Sequence, residues 1–443
     1  VDCHEDQLAR PLMAAPRLAV VGAGWAGLAA AVEACALGAQ VSLLEMAPQA
    51  GGRARSVGEL DNGQHILIGA YTDTLALMRR VGADPEALLL RQPLRLRYPE
   101  HDTLQLPGGP PTLAFARAVL ACRAWPWPAR LNLLRHSLGW AVTGFRCPPD
   151  WSVARLCAGL PAPVRADLVE PLCVAALNTP AQLASAQVFL RVLKDALFSG
   201  PGSADLLLPR QGLSALLPAP ALAWLAARGV TLTQQRVQSL QSHGQGWLLD
   251  GQPFDAVLLA CSSVEAARLT QDLAPAWSAC AAGLRFQPIV TVYLDSPGSR
   301  LPAPMVALRE SATEPAQFAF DLGQLSADAG SGSSPGRFSL VVSGAAPWLE
   351  RGLEACAQAA LAQASRALTW ASPPRLHRVL SEKRATFACT PGLARPDQRI
   401  APGLWAAGDY LQGPYPATLE GAVRSGLTAA RSAMRHPSSK PSP

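Results

Sequence analysis

The feature that most constrains this chain is a glycine-rich turn set between a short apolar run and an alanine-rich helix. Leu18-Ala19-Val20-Val21 leads into Gly22-Ala23-Gly24-Trp25-Ala26-Gly27, and a helical pattern follows at once. A strand that delivers the chain to such a turn and then to a helix opens a βαβ unit of the dinucleotide-binding kind. Gly22 makes the tight turn. The missing side chain of Gly24 lets a pyrophosphate approach the backbone, Ala26 keeps the turn small, and Gly27 allows the helix to pack against the strand. The helix N-terminus then offers unpaired N–H groups and partial positive charge to the phosphates. Glu45 ends a second apolar run, Val41-Ser42-Leu43-Leu44, near the spacing of the carboxylate that holds a ribose hydroxyl. Its charge opposes a 2′-phosphate in that pocket.

A second glycine pair follows in Gly51-Gly52-Arg53-Ala54-Arg55-Ser56. Two glycines bring backbone close to a ligand, and Arg53 or Arg55 can neutralise phosphate. At the far end of the chain, Leu404-Trp405-Ala406-Ala407 is strand-like and runs into Gly408-Asp409. Tyr415-Pro416-Ala417-Thr418-Leu419-Glu420-Gly421-Ala422 then reads as a loop entering a helix. The two ends together point to one dinucleotide, FAD. A second glycine fingerprint for NAD(P)H is not visible, so the electrons that reduce the flavin are expected from an external donor.

Composition narrows the class. At 443 residues with 49% hydrophobic and 16% charged side chains, the chain is long and apolar enough for two interleaved domains. The net charge of +6 is spread out and contains no dense basic tract, which argues against nucleic acid and leaves a mild attraction to anionic lipid. Ten cysteines without a C-x-x-C or a cysteine–histidine cluster argue against a metal site or a disulfide framework and predict a reducing cytoplasm. No apolar run reaches the length of a membrane span.

The patterns predict an α/β fold of a Rossmann-like nucleotide-binding domain and an interleaved α+β substrate domain. Residues 17–65, 203–265 and 396–435 are assigned to the first and residues 66–200 and 266–395 to the second. Residues 1–16 and 436–443 are expected to be flexible termini, and Ser326–Gly336 a mobile loop.

The strand, Gly22–Gly27, Glu45, Gly51-Gly52-Arg53 and the C-terminal Gly408-Asp409 with its helix entry resemble the flavin amine oxidase and carotenoid desaturase superfamily, whose FAD domain is of the GR2 type. Two longer stretches narrow the likeness: Asp61-Asn62-Gly63-Gln64-His65-Ile66-Leu67-Ile68-Gly69-Ala70-Tyr71, and Gly408-Asp409-Tyr410 followed by Gly413 to Ala422. Both look like the squalene-associated FAD-dependent family, the hydroxysqualene dehydroxylases of bacterial hopanoid synthesis. The resemblance covers the whole chain. It implies that Gly22, Gly24 and Gly27 surround the FAD pyrophosphate, with Gly52 and Arg53 beside it, while Glu45 binds the adenosine ribose. Val237 would meet adenine through its backbone. Gly408 and Asp409 would hold ribityl or phosphate groups, and the helix start from Thr418 to Ala422 would face the flavin pyrimidine.

The implied reaction removes the allylic hydroxyl of hydroxysqualene, a C30 isoprenoid. Protonation releases water, and hydride from reduced flavin gives squalene. His65 is the first candidate for the proton donor, with Asp61 orienting it and Tyr71 and Tyr415 as further catalytic candidates; Tyr410 is another phenol near them. The alternatives are a carotenoid-type desaturase or isomerase, which would run hydride transfer in the opposite direction, and a flavin amine oxidase, which would need an aromatic cage. Residues 112–146 mix leucines and tryptophans with Arg117, Arg123, Arg130, Arg135 and Arg146. This is the pattern of an interfacial helix pair, and it is also that of an ordinary amphipathic pair with solvated arginines. A cytoplasmic enzyme, peripheral on the inner face of the cell membrane, is the expectation.

Overall fold

The computed structural model describes residues 15–100, 102–326 and 336–435. Residues 1–14 and 436–443 of the expected flexible termini, and most of the Ser326–Gly336 loop, lie outside the described residues.

Strand Arg17–Val21 lies between Gln40–Glu45 and Ala256–Leu259, parallel to both. Leu232–Gln234 extends the sheet on one side, and Leu404–Ala406 with the antiparallel Arg399–Ala401 extends it on the other, making six strands. All four residues of Ala256–Leu259 are buried. An unbroken apolar run is what a parallel strand covered on both faces requires. Helix Trp25–Ala36 packs on one face beside the C-terminal helix Leu419–Arg435, and the meander Leu240–His243, Gly246–Leu249, Gln252–Phe254 covers the other. The two helices approach backbone to backbone: a Cβ on Gly426 would stand 2.1 Å from the Ala26 carbonyl oxygen, so only glycine permits this crossing.

The second layer is a five-stranded antiparallel sheet ordered Met305–Ala307, Phe318–Asp321, Arg337–Val342, Phe286–Asp295, Arg375–Phe387. Its side chains alternate between two cores. Val290, Val292, Leu294, Phe338, Leu340 and Val342 pack with helix Leu353–Ala367. Phe318, Phe320, Val341 and Phe387 face the helices of residues 111–198 instead. This period of two is the expected geometry of a sheet buried on both faces.

The packing moves one expected boundary. Leu67–Ile68, Leu206–Pro209 and Leu89–Gln92 form one small sheet. Leu75, Leu77 and Met78 of helix Thr72–Arg80 belong to the nucleotide core. Residues 67–89 therefore side with the nucleotide layer, not with the substrate domain to which 66–200 was assigned. The reason is a long-range tie: the Glu420 carboxylate accepts from the Asp73 and Thr74 amides and from the Thr74 hydroxyl at 2.7–3.1 Å. Val237 lies in a loop outside the strands, next to Gln238 and Ser239, whose amides donate to the Asp250 carboxylate.

Candidate active site

The strand ends and glycine turns open onto a single continuous cavity of about 700 Å³ that runs from Glu45 to Trp140. Its nucleotide arm is built from backbone. The Gly22 N–H donates to the Leu44 carbonyl at 2.7 Å, and its φ of +107° places it where glycine is favoured. The Gly51 N–H donates to Ala23 at 2.8 Å, which brings the second glycine turn against the first. A Cβ on Gly52 would lie 3.1 Å from the Gly24 Cα. The two turns face each other as bare main chain. Glu45 is buried, with one carboxylate oxygen accepting from the Ala23 N–H at 2.7 Å and the other from Ala47 at 2.9 Å. Gly27 has the packing role that its spacing predicts. It is not part of the cavity lining, since a Cβ there would meet the Gly22 carbonyl oxygen at 1.8 Å. Its role is the close packing of helix on turn.

Further along, the Arg53 guanidinium joins the Asp409 carboxylate at 2.6 Å and donates to the Ala385 carbonyl at 2.6 Å. Burial works against the Arg53 charge, but the Asp409 carboxylate outweighs it and holds the guanidinium more firmly protonated than usual. Ala26, Gly408 and Ala422 line the cavity. The Gly408 N–H is held by the Ser425 hydroxyl at 3.0 Å. Thr418 caps the C-terminal helix, its hydroxyl accepting from Gly421 at 3.0 Å. Val237 lines the far end, where its carbonyl accepts from Arg268 at 2.6 Å.

The polar candidates meet at the junction of the two arms, with one exception. His65 lines the cavity, and its Nδ1 lies 2.9 Å from the Gly63 carbonyl. A carbonyl only accepts, so Nδ1 carries the proton and Nε2 of the neutral ring is an acceptor. Burial pushes the His65 pKa below its ordinary 6.5, against the pull of that carbonyl and of Asp61. Asp61 does not line the cavity and does not orient His65 through a hydrogen bond. Its Oδ1 accepts from the Ser56 hydroxyl and the Leu213 amide, both at 2.8 Å, so it anchors a helix start 152 residues away. Burial raises the Asp61 pKa, against those two hydrogen bonds. Tyr71 lines the cavity as a neutral phenol, its pKa raised by burial and by Glu420. Tyr415 donates to Asp195 at 2.7 Å and accepts from Arg191 at 2.7 Å and Arg424 at 2.9 Å. Arg191, Asp195 and Arg424 were not foreseen. Arg191 and Asp195 lie one turn apart on helix Ala186–Phe198 and Arg424 on the C-terminal helix, so only the fold brings all three to Tyr415.

Beyond this junction the cavity walls are mainly apolar, with Ser137 among them. Phe115, Leu133, Trp140, Leu172 and Phe189 come from the helical bundle, Leu94 from a loop between two strands, and Phe318 and Phe320 from the antiparallel sheet. A nucleotide arm joined to a buried apolar arm defines an oxidoreductase that brings a dinucleotide to an organic substrate. The profile of the family described as flavin containing amine oxidoreductase matches residues 25–434, and the chain belongs to that family. It is 29% identical to the hydroxysqualene dehydroxylase of Rhodopseudomonas palustris over 93% of this chain and 96% of that one. It is 26% identical to the hydroxysqualene dehydroxylase of Zymomonas mobilis over 94% and 99%. Among solved structures, an oxidoreductase from Methanosarcina mazei superposes with a TM-score of 0.70 at 16% identity, covering 94% of this chain and all of that one.

The cofactor of the family is FAD, and the residues fit it. The facing glycine turns leave a backbone cradle. The buried Ser263 Oγ and Tyr410 Oη, both on the cavity wall, have no partner among the described residues. Buried polar atoms left alone in this way are rare without a ligand or water to meet them.

Proposed function

We propose that the protein reductively removes the hydroxyl of hydroxysqualene to give squalene. The observation that carries this is the continuity of the nucleotide arm with a mainly apolar arm walled by the helical bundle and the antiparallel sheet. The full-length likeness to two hydroxysqualene dehydroxylases supports it.

In this reading the backbone of Gly22, Gly24 and Gly52 lies against the pyrophosphate, with Arg53 beside it. Glu45 takes the adenosine ribose, Val237 the adenine, and Asp409 the ribityl or phosphate oxygens. The start of the helix at Leu419–Arg435, capped by Thr418, would offer partial positive charge to the flavin when it is reduced. When bound and reduced, FAD supplies the hydride. An external donor must first reduce it. His65 delivers the proton in its imidazolium form: Nε2–H passes it to the substrate oxygen, the carbon–oxygen bond breaks, and water leaves. The neutral imidazole left behind is the form that its burial favours. A depressed pKa makes the imidazolium a stronger acid and a scarcer one, so the dehydroxylation rate should rise as pH falls through neutrality and level off only below 6.5. His65→Gln should lose that rise. Apolar walls keep other water from the cation.

An amine oxidase reading fares worse. Such an enzyme would need an aromatic cage, and the Tyr415 ring is already in contact with the Arg191 and Arg424 guanidiniums at 4.8 and 5.3 Å. The test is anaerobic turnover with dithionite-reduced protein. Squalene formed with stoichiometric reoxidation of the flavin supports the proposal. A reducible bound flavin that yields no squalene overturns it. Such an enzyme must collect an insoluble substrate from lipid, although no helix among the described residues is long and apolar enough to cross a membrane.

A further inference from the structure

The helix pair Pro111–Ala121 and Trp127–Val142 is two-sided. One side of each helix belongs to the cavity wall or to the core beneath it: Phe115, Leu133 and Trp140 line the apolar arm. The other side is apolar too, and it faces outward. Leu113 and Leu120 on the first helix are 55% and 39% exposed. On the second, Trp127, Leu131, Leu138 and Val142 are 59%, 57%, 66% and 80% exposed. At about 100° per residue, those last four fall within roughly 60° of arc, and Leu133 and Trp140 lie on the opposite side. The stripe is therefore a designed face of the helix rather than scattered exposure, and a contiguous apolar patch marks an interaction site.

Charge decides the partner. From Thr103 to Pro149 the sequence contains no Asp or Glu. Arg117, Arg123, Arg135 and Arg146 are exposed and make no ion pair among the described residues. Arg135 flanks the apolar stripe on one edge, by the same helical arithmetic. On the other, Arg130 bonds the Trp125 and Leu120 carbonyls at 2.8 Å and lies 4.7 Å from the Trp127 ring, which fixes that indole at the head of the helix. A second copy of this chain is a poor occupant, because a two-fold contact would press the same unpaired arginines together. Leu, Trp and Arg with no acid among them suit a surface that is apolar below and negative above.

We infer that the outer face of this helix pair docks on an anionic lipid bilayer, with the apolar arm directly beneath the docked surface. The inference deepens the proposed reaction and rests on it only for the cargo. Vesicle binding is read without turnover, so failure of either idea is seen separately. The test is co-sedimentation of the FAD-loaded full chain with phosphatidylglycerol–phosphatidylcholine vesicles and with phosphatidylcholine alone. Binding should be at least about tenfold tighter on the anionic vesicles and should weaken with added salt. Leu131→Ser/Leu138→Ser/Val142→Ser should weaken it about tenfold or more on both, and Arg117→Gln/Arg123→Gln/Arg135→Gln about as much on the anionic vesicles alone. An unchanged flavin spectrum and melting temperature identify variants that have kept their fold. The inference is overturned if the wild type ignores anionic vesicles or if both folded variants bind as the wild type does. It is also overturned if the serine variant merely dissociates an oligomer that never bound lipid.

Discussion

The two arms of the cavity are made of different material. The nucleotide arm is main chain, with two glycine turns face to face and a few charges fixed by hydrogen bonds of 2.6–2.9 Å. The apolar arm is side chain, with leucines and aromatics from the helical bundle and the second sheet. At Gly22 and Gly27 an added Cβ would stand 2.6 and 1.8 Å from a backbone oxygen, so those positions tolerate no added atom. Apolar walls tolerate a change of shape at a graded cost. One arm recognises a fixed ligand by geometry, and the other accommodates a floppy one by volume.

The comparison can be broken most forcefully at Gly27. Gly27→Val would drive a side chain into the Gly22 carbonyl, and we expect no folded flavoprotein on purification. If a yellow, stable protein were recovered, the nucleotide arm would not be as rigid as described. Phe189→Ala should come next. Phe189 is a buried wall residue of the apolar arm, and its truncation should lower stability by about 3–5 kcal/mol, measured by denaturant unfolding, while bound FAD is retained. Loss of FAD there would mean that the two arms are not separable. Glu45→Ala should do the reverse. It strands two amides and removes the ribose partner, at about 1–3 kcal/mol per unsatisfied buried group, and FAD affinity should fall about 100-fold by fluorescence titration with the fold retained.

The smallest effect concerns the junction. The native His65 pKa lies below 6.5, so in the window between the two values the unfolded chain holds a proton that the native state lacks. Stability should therefore rise with pH up to about 6.5 and then stay flat as far as this group is concerned. Thermal melts of His65→Gln should lack that acid-side slope. An unchanged slope would remove His65 as its source.

The nucleotide arm was legible because strand, turn and helix are neighbours in sequence, and glycine spacing records what the backbone must do. Glu45, Arg53 and Asp409 could be picked out for the same reason. Asp61 was misread by the same habit. It is close to His65 in sequence, but its carboxylate serves Leu213, and only the fold reveals that. The Arg191–Asp195–Tyr415–Arg424 group is held by contacts across more than 200 residues. Nothing in the stretch around Asp195 distinguishes it from a solvated helical carboxylate. The outer stripe of residues 127–142 could be seen as apolar and basic, but which face met water required the structure.

The Arg53–Asp409 pair joins residues 356 apart, and Glu420 reaches back 346 residues to Thr74. During synthesis the first glycine turn leaves the ribosome long before its partners exist. The half-built chain holds a sheet without Leu404–Ala406 and a first helix without the companion that covers it. The prosthetic group can thus be captured only once nearly the whole polypeptide has emerged, and its uptake serves as a certificate of completed translation. Until then the emerging chain exposes apolar surface that only its last segments cover, the kind that makes a folding intermediate prone to aggregate.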